Sequence, residues 1–283
     1  MKKKQIIVKT RAGLANRMRV ISSCIYLKEQ MDADMTVIWP TDKGLNANFL
    51  DLFEPNFHFK ILNDWFKYKL ILTNKRLIYS SISLIKFISN SWNKFICSML
   101  KVDYCLFDND IIKGFDYVRE IASTYSVVFI HTCSEFHDYP IGIKSFKPRY
   151  NILRKIDDHS LLFDKNTIGI HIRRTDNNLS LDKSPTILFE KKIEEYLLNN
   201  SNNKFFIATD DAKIEKYLLE KFSNNLIIFP KTYGRDSLNG IVDAVVELYL
   251  LSRTSKIYGS YWSSYSEMAS RISNIQLILL TTT

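Results

Sequence analysis

The chain has 283 residues, of which 46% are apolar and 24% charged. That balance excludes a disordered or fibrous chain and suits two globular domains of roughly 140 residues each. The net charge of +9 at pH 7 admits nucleic acid, an anionic membrane surface or phosphorylated small molecules as partners, although the lysines are scattered among Asn and Ile and are equally a compositional bias. Cys24, Cys97, Cys105 and Cys133 stand apart, with no CxxC pair and no histidine at zinc-finger spacing, so a reduced, cytoplasmic chain is expected. No apolar run approaches the ~20 residues that span a bilayer. The opening lysines precede only a short strand-like run, not the apolar region of a signal peptide.

In chain order, residues 5–9 read as a buried strand and 10–13 as a turn. From 14 to 31 the apolar residues Leu14, Met18, Ile21, Ile25 and Met31 recur at helical spacing. Residues 35–39 form a second strand before Pro40. Strand, turn, helix, strand is a βαβ opening and implies a parallel sheet. Residues 45–59 read as loop with one weak helical turn. The Lys- and aromatic-rich stretch 61–106 is a helical insert, with Leu84, Ile85, Ile88, Trp92, Phe95 and Ile96 on one face. Such a helix lies on a membrane or simply covers a core with its lysines solvated. A helix over 116–122 and a strand over 126–132 follow, and 146–158, interrupted by Pro148, crosses between two halves.

The second half is cleaner. Strands are expected over 167–172, 204–208, 226–229, 256–259 and 276–280. Helices are expected over 186–198, 212–222, 241–252 and 263–272. This alternation gives a doubly wound α/β domain. Ligands in such sheets bind beyond the carboxyl ends of the strands, and three polar clusters fall there: 171–176 (HIRRTD), 209–211 (TDD) and 260–264 (SYWSS).

Two arginines directly after a strand suit a phosphate, which a guanidinium grips with paired charge-assisted bonds. One arginine meets the anion, Arg174 in the first place and Arg173 close behind it, while the other braces it, with Asp176 a candidate partner. His171, just inside the strand end, is a nucleotide contact or a hydrogen-bonded core histidine. Of Asp210 and Asp211, one caps the next helix and the other accepts from a ribose or base. Ser260, Ser263 and Ser264 lie at a helix start, where hydroxyls and free N–H groups seat phosphate. Glu247, in an otherwise apolar helix, needs a partner: a guanine edge or a nearby arginine. In the first half, RAGLANRMR at 11–19 puts Gly13 in a turn where backbone approaches a ligand, with Asn16 and Arg17 in the first helical turns. There is no GxGxxG and no Walker A lysine. Asp108-Asn109-Asp110 has the shape of a metal-binding DxD but sits in the less regular half, so no metal is expected.

Together, HIRRTD at 171–176, FIATDD at 206–211 and ELYLLSRTSKIYGSYWSSYS at 247–266, with GLANRMR at 13–19, resemble the donor-site motifs of the superfamily of α1,6-fucosyltransferases, nodulation fucosyltransferases and protein O-fucosyltransferases. The resemblance covers the second half nearly continuously and the first half mainly at the glycine loop. It implies an α/β fold of the GT-B type, two Rossmann-like domains facing a cleft: 1–150 on the acceptor side with the insert 61–106, and 151–283 binding the donor. It implies GDP-fucose as donor, inversion at the anomeric carbon and no metal or other cofactor. It makes Arg173 the β-phosphate ligand, matches Asp210 and Asp211 to paired aspartates, places Glu247 where an aspartate usually bonds guanine, and sets Ser263 and Ser264 near the phosphates.

Asn177 departs from the usual lysine. The carboxylate proposed as base in some members falls near Leu181, which leaves Asp182 and Asp176 as candidate bases. The expected acceptor is a glycan or lipid-linked oligosaccharide of a surface polysaccharide or glycoconjugate, met in the cytoplasm or at the inner membrane face, with no nucleic acid partner. The alternatives are another nucleotide-sugar donor on the same fold, or a basic protein that binds nucleic acid or a membrane surface.

Overall fold

A computed structural model of the chain describes residues 3–62, 92, 95, 97–175 and 178–282. Asp176 and most of the 61–106 stretch, including Leu84, Ile85, Ile88 and Ile96, lie outside the described residues. The chain divides into two compact units, Met1–Thr41 with Pro55–Phe146, and Asp42–Glu54 with Lys147–Thr283.

The first unit is built on β1 (Gln5–Thr10), β2 (Asp34–Ile38), β3 (Lys60–Leu62), β4 (Tyr104–Phe107) and β5 (Val127–Thr132), in the order β3-β2-β1-β5-β4, all parallel. The helix Leu14–Met31 buries Met18, Ile21 and Ile25, the expected stripe, and stops at Asp32 in the left-handed conformation. Strand order reverses between β1 and β5, the switch point of this sheet. The short strands β3 and β4 were not expected. β3 has three residues and β4 (YCLF) lacks alternation, so neither gives a periodic signal.

The second unit holds β6 (Ile168–Ile172), β7 (Phe205–Thr209), β8 (Leu226–Ile228), β9 (Ile257–Ser260) and β10 (Leu277–Leu280), again parallel, in the order β10-β9-β6-β7-β8. β6 and β7 are buried along their whole length, as central strands covered on both faces must be. Ile168, Ile170, Ile172, Phe189, Ile193, Phe205, Ile207 and Leu218 form one core. Gly169 in β6 is required by close packing: a Cβ there would stand 2.6 Å from Thr254 Oγ1 and 2.7 Å from Leu251 Cδ1. The switch point lies between β6 and β9. Loops leaving β6 and β9 therefore diverge from one crevice, and β7 borders it.

Two boundaries differ from the sequence reading. The expected crossing at 146–158 contains the helix Tyr150–Ser160, which buries Ile152 and Ile156 one turn apart. Pro148 lies ahead of that helix and does not interrupt it. The segment Asp42–Glu54 belongs to the second unit, not to an N-terminal block ending at 150. Its short helix Phe49–Leu52 buries Phe49 and Leu52, with Phe53 buried directly after it. Backbone bonds from Asn46 N–H to Arg235 O (3.0 Å), Glu54 N–H to Lys147 O (2.8 Å) and Arg149 N–H to Leu52 O (3.0 Å) tie it in. No helix among the described residues is long and apolar enough to cross a membrane.

Candidate functional site

The crevice of the second unit gathers the three polar clusters. β9, β6 and β7 are neighbours, so Ser260, Arg173–Thr175 and Asp210 leave adjacent strand ends. Arg173 Nη1 pairs with Asp210 Oδ2 at 2.8 Å, and the Arg173 side chain stays partly exposed. The same carboxylate accepts Arg174 N–H at 2.7 Å, Thr175 N–H at 3.3 Å and the Thr175 hydroxyl at 2.7 Å. Asp210 is thus a clamp across the ends of β6 and β7. Burial opposes its charge, but Arg173 and the bonds from Thr175 and Arg174 win and hold its carboxyl below the usual range.

Arg174 takes the opposite role. It is buried, donating to Ser184 O (2.7 Å), Thr186 Oγ1 (3.1–3.2 Å) and the Arg173 carbonyl (2.8 Å). The expected brace is present, but it is made to Ser184 and Thr186. Bonded in this way inside the protein, Arg174 braces the loop that carries Arg173.

Ser260 is fully buried, accepts Arg173 N–H at 3.0 Å and donates to the His171 carbonyl at 3.4 Å, so it fixes backbone between β9 and β6. Ser263 and Ser264 are partly exposed at the start of the helix Ser264–Ser273, where the Ser263 side chain makes no capping bond. Asp211 is the N-cap of the helix Ala212–Phe222, accepting from Lys213 N–H (2.8 Å) and Ile214 N–H (3.4 Å). Asp182 is exposed on the short helix Asn178–Lys183.

His171 is buried against Tyr265, ring centroids 5.0 Å apart and nearly parallel. Burial pulls its pKa down to about 3, so it is neutral, and its Nδ1 has no hydrogen-bond partner among the described residues. Glu247 is buried behind the crevice, and Lys231 donates to it. Lys231 also pairs with Glu215 at 2.8 Å. One ammonium facing two carboxylates leaves a buried excess of negative charge. Desolvation pushes Glu247 up to about 7, against the pull of Lys231. The partner the apolar helix demanded is therefore a lysine on the loop after β8. The sequence reading missed Lys231, because nothing local to KTYGRDS marks it and the only pointer was the unmatched charge of Glu247.

The glycine loop of the first unit is more structural than expected. The left-handed residue is Ala12, at φ 68°; Gly13 sits at φ −76°, which any residue adopts. Arg17 is fully buried. It donates to Ala12 O (2.8 Å) and Pro40 O and lies over Trp39. Asn16 remains partly exposed. Arg11 pairs with Asp108, which also accepts from Thr132 Oγ1 at 2.7 Å, while Asp110 accepts Phe107 N–H at 3.1 Å. The DxD-like triplet thus serves local structure. Among the described residues no group of three or more His, Cys, Asp or Glu is placed to hold a metal ion.

Solved structures share this architecture. NodZ alpha-1,6-fucosyltransferase soaked with GDP-fucose superposes with a TM-score of 0.62 at 16% identity, covering 96% of this chain and 93% of its own. NodZ comes from Bradyrhizobium. A variant of Arabidopsis thaliana FUT1 in complex with GDP gives 0.64 at 15% identity, covering 99% and 70%. POFUT1 in complex with GDP gives 0.56 at 11% identity, covering 99% of both chains. The chain has the fold of these fucosyltransferases. No protein-family model matches it, and no curated protein sequence does.

Proposed function

We propose that the chain is an inverting glycosyltransferase of GT-B type that carries fucose from GDP-fucose to a hydroxyl of a glycan or lipid-linked oligosaccharide. It would act in surface-polysaccharide or glycoconjugate synthesis, in the cytoplasm or at the inner membrane face. The second unit is the donor domain and the first the acceptor side. The observation that carries this is Arg173, partly exposed at the switch point and fixed in direction by Asp210.

When the sugar leaves, negative charge builds on the β-phosphate. A guanidinium already aimed there stabilises that charge without reorganising, so no divalent ion is required. Ser263, Ser264 and the first amides of the helix Ser264–Ser273 add donors for the diphosphate. Asn16 is a further donor contact. The incoming hydroxyl loses its proton to a carboxylate, with Asp182 and Asp176 as the candidates, or to the donor phosphate itself.

The test is release of GDP from GDP-fucose by the purified chain. Arg173→Ala is expected to lower it by roughly 10²–10³ and EDTA to leave it unchanged; full activity in the variant, or loss with EDTA, overturns the proposal. One observation favours a second donor: the Glu247 carboxylate, the expected guanine ligand, is engaged by Lys231. A thermal-shift panel separates the two, since stabilisation by UDP and not by GDP rejects the guanine donor.

A further inference from the structure

The sequence spacing of the cysteines suggests no pairing, yet Cys97 and Cys105 meet. Their Sγ atoms stand 2.7 Å apart, inside any ordinary non-bonded sulfur contact and just beyond the ~2.05 Å of a disulfide bond. The approach is built by the backbone. Val102 N–H bonds Cys97 O at 2.7 Å, Lys101 N–H bonds Ser98 O at 3.1 Å, and Lys101 takes the left-handed conformation at φ 56°. This tight turn folds the helical residues 97–99 back onto β4, which carries Cys105. Cys97 packs with Ile7, Ile38, Val102 and Phe129, and Cys105, which is only partly buried, lies against the same cluster.

We propose that Cys97 and Cys105 are a redox pair that closes to an intramolecular disulfide, oxidised by a low-molecular-weight disulfide of the glutathione class. One protein thiolate attacks a sulfur of the small disulfide, forms a mixed disulfide and expels one small thiolate. The second protein thiolate attacks the protein sulfur of that mixed bond, closes the Cys97–Cys105 bond and expels the other. The two protons lost by the cysteines end on the two released thiols, so the protein loses two electrons and the small disulfide gains them. The pair is chemically uneven: hydrogen bonding from Cys105 holds the Cys97 thiol below its ordinary pKa, while the same bond, with burial, raises Cys105. A split of this kind favours Cys97 as the thiol that ionises and attacks first. The consequence is local. The bond would pin the start of β4, whose far end delivers Asp108 to Arg11.

The test uses the full-length chain, incubated with oxidised glutathione, alkylated, and digested with trypsin without reduction. Residues 95–101 (FICSMLK) and 102–113 (VDYCLFDNDIIK) are separate tryptic peptides, each with one cysteine. The expected product is the two joined at about 2 Da below their summed mass, split by dithiothreitol, with Cys133→Ser still forming it and Cys97→Ser not. Recovery of both peptides separately alkylated, or of Cys105 joined to Cys133 or to glutathione alone, overturns the pair. The wild-type digest decides the matter even where Cys97→Ser fails to fold.

Discussion

The two sheets are parallel with the same kind of order reversal, yet they end their central strands differently. After β1, Arg11 pairs with Asp108, Arg17 is spent on two carbonyls, and Arg19 reaches the Cys133 carbonyl at 3.3 Å. After β6, Arg174 is bonded to carbonyls and a hydroxyl in the same way as Arg17, and Arg173 pairs with Asp210 as Arg11 pairs with Asp108. Arginines at a strand end are therefore not an anion site by themselves. What separates the two ends is the carboxylate that holds the arginine: Asp210 also accepts two backbone N–H groups and a hydroxyl from the residues that leave β6, whereas Asp108 accepts the Thr132 hydroxyl.

The sharpest way to break that contrast is to remove one arginine from each end. Arg173→Ala is expected to lower kcat/KM for GDP release by roughly 10²–10³, the usual loss for one aligned donor to a developing anion. Arg11→Ala is expected to change it far less, with the effect read as lowered Tm. Comparable losses in both would merge the two ends into one kind of site.

Next in size is Lys231→Met, which strands two buried carboxylates and is expected to cost about 3 kcal/mol in denaturant unfolding. Adding Glu247→Gln should recover part of that loss; simple additivity would show that the Lys231–Glu247 pair is not coupled.

Acid should sharpen the comparison further. His131 in the first unit, buried and beside Lys9 and Arg11, falls to about 4, and His171 in the second to about 3. Both folded-state values lie below the unfolded ~6.5, so the unfolded chain binds the extra proton. Each histidine therefore costs up to about 1.4 kcal/mol per pH unit as pH falls from about 6.5. Glu247 runs the other way. Its folded value of about 7 exceeds the unfolded ~4.5, so the folded state holds the proton and stability rises as pH falls through that window. Glu247→Gln should steepen the loss of Tm between pH 6.5 and 5, and an unchanged slope would remove Glu247 as the opposing group. The smallest expected change is Asp211→Ala, about 1 kcal/mol for the lost helix cap, read by thermal unfolding.

Legibility followed the physics of each segment. β6 and β7 announced themselves because a strand covered on both faces is apolar throughout, and the helix 14–31 because its stripe is regular. β3 and β4 are edge strands too short to show a period. The helix Tyr150–Ser160 hides its two buried isoleucines among charged residues. At the site, residue type and position marked both arginines, with Arg174 first, and both aspartates; the family resemblance is what favoured Arg173. Burial alone separates Arg173 from Arg174, and Ser260 from Ser263, and burial is a property of the fold around a residue. The partner of Glu247 lies sixteen positions away on another loop, where no local pattern leads.

The excursion Asp42–Glu54 has a consequence for how the chain is made. A ribosome delivers these residues before most of the first unit exists, yet Phe49, Leu52 and Phe53, all buried, belong to the unit whose remaining residues begin at Lys147. The second unit is thus begun early and finished last, and three large apolar side chains wait exposed through the intervening synthesis. A fragment cut at 147 would carry all five strands of the second sheet but would lack Asp42–Glu54.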